Sequence, residues 1–136
     1  MPIFTIENAT THVSRERRAG VTRETRTLEV EGPSGDGGRN RARFVFGATD
    51  ATPAVGYLTR CGAAGVSLTG WLPAAAYGAF REALAAGGPL QVHYETRDGQ
   101  AGYLRRLGLG RAGAALIAAV GRRPGASTVP AFAMPH

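Results

Sequence analysis

Apolar and polar residues alternate with a period of two along most of the chain. In Ile3–Glu7, Phe4 and Ile6 alternate with Ile3, Thr5 and Glu7, a β-branched pattern that suits a strand. In 25–31, Leu28 and Val30 share one face, opposite Thr27, Glu29 and Glu31. A loop of glycines, Pro33 and Asp36 follows. In 39–47, Ala42, Phe44 and Phe46 then alternate with Arg39, Arg41 and Arg43. This is a β-hairpin with an inside and an outside. Its simplest register pairs Glu31 with Arg39, Glu29 with Arg41 and Thr27 with Arg43. The outer face then becomes a ladder of ion pairs, each worth roughly 0.2–1 kcal/mol.

Two more strands, 55–61 and 65–71, flank the tight Gly62–Gly65 turn. The period then changes. Pro73, Tyr77, Phe80 and Leu84 form one stripe of a helix over 73–86, with Pro73 in the first turn and Gly87 at the left-handed stop. Alternation returns over 89–95, and Asp98-Gly99 is the strongest short hairpin signal, leading into a strand over 102–110. Residues 111–120 read as a short helix, and 122–136 as an irregular apolar tail beyond a single domain, 1–121. The fold class expected is mainly β with one or two helices: a small antiparallel β-barrel or rolled sheet capped by helix 73–86. An α+β sheet with one helix on a face is the alternative.

The hairpin at Asp98-Gly99 raises a difficulty. A two-residue turn there pairs Tyr94 with Tyr103, Val92 with Arg105 and Leu90 with Leu107, which puts Arg105 on the apolar face. A β-bulge at Arg105–Arg106, turning both side chains outward, is the simpler solution. An inward Arg105 held by a carboxylate or a bound anion is the alternative, because an unpaired buried charge is too costly.

Composition changes this picture in one respect. The net charge is +6, and all sixteen basic residues are arginine. With 20 glycines and long alanine runs, this is the usage of a GC-rich genome, so the arginine count is weaker evidence for a nucleic-acid partner than a mixed Lys/Arg patch. Still, Arg15, Arg17, Arg18, Arg23 and Arg26 fall within twelve residues, beside only Glu16 and Glu24. They read either as a solvated link between strands or as an arm that contacts phosphates. The nearest rings, Phe4, Phe44 and Phe46, are at core positions, so no aromatic is on hand to stack bases. Arg105, Arg106 and Arg111 extend the basic set.

Cys61 is the sole cysteine, which excludes an intramolecular disulfide and any Cys-based metal site. His12, His93 and His136 have no metal-ligand spacing. No cofactor is indicated. No signal peptide is evident, and the longest apolar run, 112–121, is about half a bilayer span, so a soluble cytoplasmic chain without a membrane partner is expected. An arginine-rich segment ahead of a small barrel is similar to PilZ domains, and that resemblance implies a cyclic dinucleotide ligand. The family's Asp-x-Ser-x-x-Gly turn reads Tyr57-Leu58-Thr59-Arg60-Cys61-Gly62 here, without the Asp and with Thr59 in place of the Ser.

Three functional classes follow. The first is a non-enzymatic assembly module that self-associates through edge strands and the tail residues Val129, Phe132 and Met134, which need a groove to occupy. The second is a binder of nucleic acid or an anionic ligand using Arg15, Arg17, Arg18, Arg23, Arg26, Arg105 and Arg106. The third is a small barrel enzyme with a pocket near Tyr94, Tyr103 and Arg105.

Overall fold

The computed structural model describes residues 3–34, 37–47, 55–62, 64–96, 102–111 and 117–120. Among these the chain forms nine strands: β1 (Ile3–Thr5), β2 (Asn8–Arg18), β3 (Val21–Pro33), β4 (Arg39–Phe46), β5 (Val55–Gly62), β6 (Gly65–Leu72), β7 (Gln91–Thr96), β8 (Gly102–Gly110) and β9 (Ile117–Val120). A 3-10 turn at Ala74–Ala76 leads into the one helix, α1 (Tyr77–Ala85). The sheet runs β1-β7-β8-β5-β6-β4-β3-β2, with β9 also on β8. Its two ends belong to one stretch of chain, since only Ile6 and Glu7 separate β1 from β2. The sheet therefore curls into a half-barrel. At the crossing, the Ile6 amide donates to the Leu90 carbonyl and the Glu7 amide to the Glu31 carbonyl, at 2.9 and 2.7 Å.

The rolled β fold with a capping helix agrees with the alternation pattern, with one departure. The sheet is mixed, because β4 pairs with β6 in parallel. The β5–β6 hairpin docks on β4 through its second strand, and strands two apart in a chain of reversals point the same way. The core fills the concave side. Leu28, Val30, Ala42, Phe44, Phe46, Leu58, Leu68, Leu72, Val92, Leu107 and Leu109 are all buried there. Helix α1 closes it with Phe80, whose ring lies 5.0 Å from Phe44 and 5.3 Å from Phe46. Arg111 ties down the end of the helix, donating to the carbonyls of Ala83, at 2.8 Å, and Gly87. That arginine is spent on capping and is not part of a free basic set.

Several expected registers are corrected. Arg39 pairs with Pro33, Arg41 with Glu31 and Arg43 with Glu29, two residues along from the simplest register. The slip is even, so the same side chains stay outside and the ion-pair ladder survives. In the second hairpin Tyr94 pairs with Leu107, and Arg106 with Glu95, while Leu104 pairs with Thr96. Arg105 is the extra residue of a β-bulge, and it and Arg106 are both exposed, between buried Leu104 and Leu107. The bulge solution holds; the turn at Asp98-Gly99 itself lies outside the described residues. Residues 117–120 form strand β9, paired with Leu107, Gly108 and Leu109 of β8, where the sequence predicts a helix. No helix among the described residues is long and apolar enough to cross a membrane.

Candidate functional site

The arginine-rich stretch is not a link. β2 and β3 pair along eleven consecutive residue pairs, from Asn8 with Glu31 to Arg18 with Val21. The two-residue turn is Ala19-Gly20, with φ of 51° and 78°. Both positive values are what a type I′ hairpin turn requires. β4 supports β3 only from Arg26 onward. Beyond that point the hairpin is a two-stranded arm with no third strand beside it among the described residues, and Val21, Thr22, Arg23 and Glu24 line a cleft with Phe46, Gly47, Ala74 and Tyr77. All eleven residues of β2 are exposed, including Val13 at 53 %, and Val21 on β3 is 56 % exposed.

Opposite residues of an antiparallel pair share a face. Arg15, Arg17 and Arg26 therefore lie on one face of the arm, and Arg18 and Arg23 on the other. Carboxylates neutralise part of this charge. Glu24 takes Arg15 at 3.1 Å and Arg26 at 2.9 Å, and Glu16 takes Arg18 at 3.3 Å. Among the described residues Arg17 and Arg23 have no carboxylate partner, and they point to opposite sides. The five arginines do not form one grip. Arg105 and Arg106 are elsewhere, since β5, β6 and β4 separate β8 from β3.

At the foot of the arm the outer face is a charge cluster. Arg39 bridges Glu7 at 2.8 Å and Glu31 at 3.0 Å, and Arg41 lies 3.6 Å from Glu31. The hydrogen bond from Arg39, with a second from Asn8, holds the Glu31 carboxyl below the ordinary glutamate value. Hydrogen bonds to Glu7 and Glu31 raise Arg39 in turn.

The convex face between β4 and β8 carries aromatic side chains that sequence reasoning did not assemble. The row Arg43–Thr69–Tyr57–Tyr103 runs straight across four strands. Beside it runs Val45–Trp71–Val55. Trp71 is 41 % and Tyr103 48 % exposed. The Tyr57 and Tyr103 rings meet edge to face, with centroids 5.2 Å apart. The signal was present: in 65–72, Val66, Leu68, Gly70 and Leu72 alternate inward, which leaves Ser67, Thr69 and Trp71 outside.

The remaining candidates are not brought together. Tyr94 packs on the core side, whereas Tyr103 and Arg105 are on the convex side, so the three do not line one pocket. Tyr57–Gly62 is strand β5 and not a turn. His93 pairs with Gly108, and its buried Nε2 has no hydrogen-bond partner among the described residues. The backbone of Cys61 pairs with Val66, but its side chain lies outside what is described. The tail residues Val129, Phe132 and Met134 also lie outside the described residues. No group of three or more potential metal ligands occurs among the described residues. No family model, no curated protein and no solved structure matches this chain.

Proposed function

We propose that this chain is a non-enzymatic interaction module that self-associates through the β2 edge of its arm. The observation that carries this reading is that β2, eleven residues long, has one neighbouring strand among the described residues and no buried residue. A lone two-stranded ribbon is marginal in water. A long strand edge presents unpaired N–H and C=O groups to another strand. The part of β2 nearest the sheet, Asn8–Ser14, carries no acidic residue, lysine or arginine, and includes the β-branched Thr10, Thr11 and Val13.

A symmetric dimer uses the same patch twice. A two-fold axis at His12 sets Thr11 against Val13 and Thr10 against Ser14 of the second copy. It also sets Arg17 against Glu7, so unlike charges meet and no arginine faces another. The sheets of two copies then continue into one another. The apolar tail with Val129, Phe132 and Met134 is a second element of the same reading.

The test is mass in solution by light scattering, with the whole chain and two proline variants. In an antiparallel strand adjacent residues direct their N–H groups to opposite edges. Of Thr10→Pro and Thr11→Pro, one blocks the free edge and the other breaks the ladder with β3. The expected result is a dimer for the parent chain and a folded monomer for the free-edge variant. A monomeric parent chain, or a dimer surviving both substitutions, overturns the proposal. Removing 122–136 measures the share of the tail.

A further inference from the structure

A second surface, across the outer face of β6, β5 and β8, has the composition of a binding site. We infer that the convex face around Trp71, Tyr57 and Tyr103 binds single-stranded nucleic acid, its bases on the rings and its phosphates on Arg43, Arg105 and Arg106. This goes beyond self-association and does not depend on it.

The inference begins with placement. Tyr57 and Thr69 are directly paired, so Trp71, two residues beyond Thr69, is a diagonal neighbour of Tyr57, roughly 7–8 Å away between backbones. Tyr103 is the direct neighbour of Tyr57 on the other side. Three rings thus lie within reach of successive bases on one rigid sheet. Single-stranded nucleic acid is recognised by such platforms, because every base has a π-face and an unstacked base is free to use it. A duplex offers neither, and a convex sheet face fits no groove.

Charge identifies the occupant as a polyanion. The bulge gives β8 two consecutive outward arginines, Arg105 and Arg106, just past Tyr103. Glu95 stands opposite Arg106 in the ladder without closing an ion pair, and Arg105 has no carboxylate partner among the described residues. The antiparallel register with β5 carries them toward the Val55 end of that strand, whose neighbour on the far side is Trp71 of β6. Arg43 closes the opposite end of the aromatic row, held only loosely by Glu29 at 3.9 Å. Stacking rings flanked by guanidiniums are the pairing that single strands use.

Trp71 is the only tryptophan, so the face carries its own reporter. The experiment is fluorescence titration of the whole chain with oligo(dT), oligo(U) and inorganic polyphosphate at several salt concentrations. Saturable quenching by an oligonucleotide is expected. Tyr103→Ala weakens affinity about tenfold, while Tyr103→Phe retains it. Arg105→Ala and Arg106→Ala each lower the slope of log affinity against log salt by about 0.7. Preference between the two oligonucleotides identifies RNA or DNA as the source of the strand. No quenching at low salt overturns the inference, as does equal affinity for polyphosphate, which would mean phosphate contacts without stacking. Loss of binding on Arg17→Ala with Arg23→Ala, when Tyr103→Ala has no effect, moves the site to the arm and also overturns it. The mass measurement above is unaffected by any of these results, so the two proposals fail separately.

Discussion

The guanidinium carbon of Arg26 sits 5.0 Å from the centre of the Tyr77 ring. Arg26 is the last residue of β3 that β4 supports, so it marks the root of the arm. Tyr77 opens helix α1 and sets its ring edgewise on Phe46, with centroids 5.1 Å apart. The pair thus couples the arm to the core through one aromatic side chain. A cation over a half-exposed ring is worth about 0.5–1 kcal/mol. In a double-mutant cycle by denaturant unfolding, Arg26→Ala and Tyr77→Leu should therefore show a coupling energy of about that size. Strict additivity would mean that the contact contributes nothing.

The Ala19-Gly20 turn predicts an easy gain in stability. Ala19 has φ of 51°, a left-handed conformation that costs a residue with a β-carbon about 1 kcal/mol. Asparagine tolerates it better and is the preferred residue in such turns. Ala19→Asn should slow amide hydrogen exchange in β2 and in the outer half of β3. Ala19→Val should speed it. The reverse order would show that the turn does not set the stability of the arm.

This turn also explains what the sequence did and did not reveal. Inside the domain, Leu28, Val30, Phe44 and Phe46 alternate cleanly with charged residues, and helix 73–86 announces itself by its stripe and its proline. Those elements were legible because one face is buried and one is wet. The arm has no buried face, so Asn8–Arg18 shows no alternation to read, and its turn is Ala-Gly, lacking the usual Asn-Gly or Asp-Gly signal. The Glu–Arg ladder was legible in kind but two residues out of register, because loop length decides register and the loop residues are permissive. The aromatic row was hidden for another reason. Tyr57, Trp71 and Tyr103 come from three strands, and only the sheet order, which sets β5 between β6 and β8, makes them neighbours.

Gly32 predicts a steric failure. A β-carbon there would lie 1.9 Å from the Thr5 carbonyl oxygen, where the chain crosses from one end of the sheet to the other. Backbone cannot yield as a side chain can. Gly32→Ala should cost about 1–3 kcal/mol in denaturant unfolding, as overpacking does. A neutral result would mean that β1 is not held against β3.

Glu31 predicts a pH dependence. Its carboxyl is held below the ordinary value, first by the hydrogen bond from Arg39 and then by that from Asn8. A lowered pKa in the folded state means that the ionised form is the stabilised one. The contribution is full above the unfolded glutamate pKa and is lost as pH falls through the lower, folded value. A carboxyl-detected NMR titration should find the Glu31 midpoint below that of an ordinary glutamate. Arg39→Ala should move it upward. A midpoint unchanged by that substitution would remove Arg39 as the main cause.

The bulge at Arg105 predicts that β8 tolerates both substitution and deletion there. The Arg105 side chain is exposed and has no ionic partner among the described residues, so Arg105→Ala should change stability by no more than about 0.5 kcal/mol. Deleting Arg105 removes the one residue that interrupts the alternation of strand faces. Leu104 then stays inward, followed by an outward Arg106 and an inward Leu107, and Tyr103 stays outward against Tyr57. The burial of Leu104, worth roughly 1.5–3 kcal/mol, is kept, as is the Tyr57–Tyr103 ring pair, worth about 0.5–1.5 kcal/mol. Denaturant unfolding should therefore find the deletion variant folded and within about 1 kcal/mol of the parent chain. A loss of about 3 kcal/mol or more would mean that the bulge geometry itself, and not the alternation of the residues beside it, holds β8 between β7 and β5.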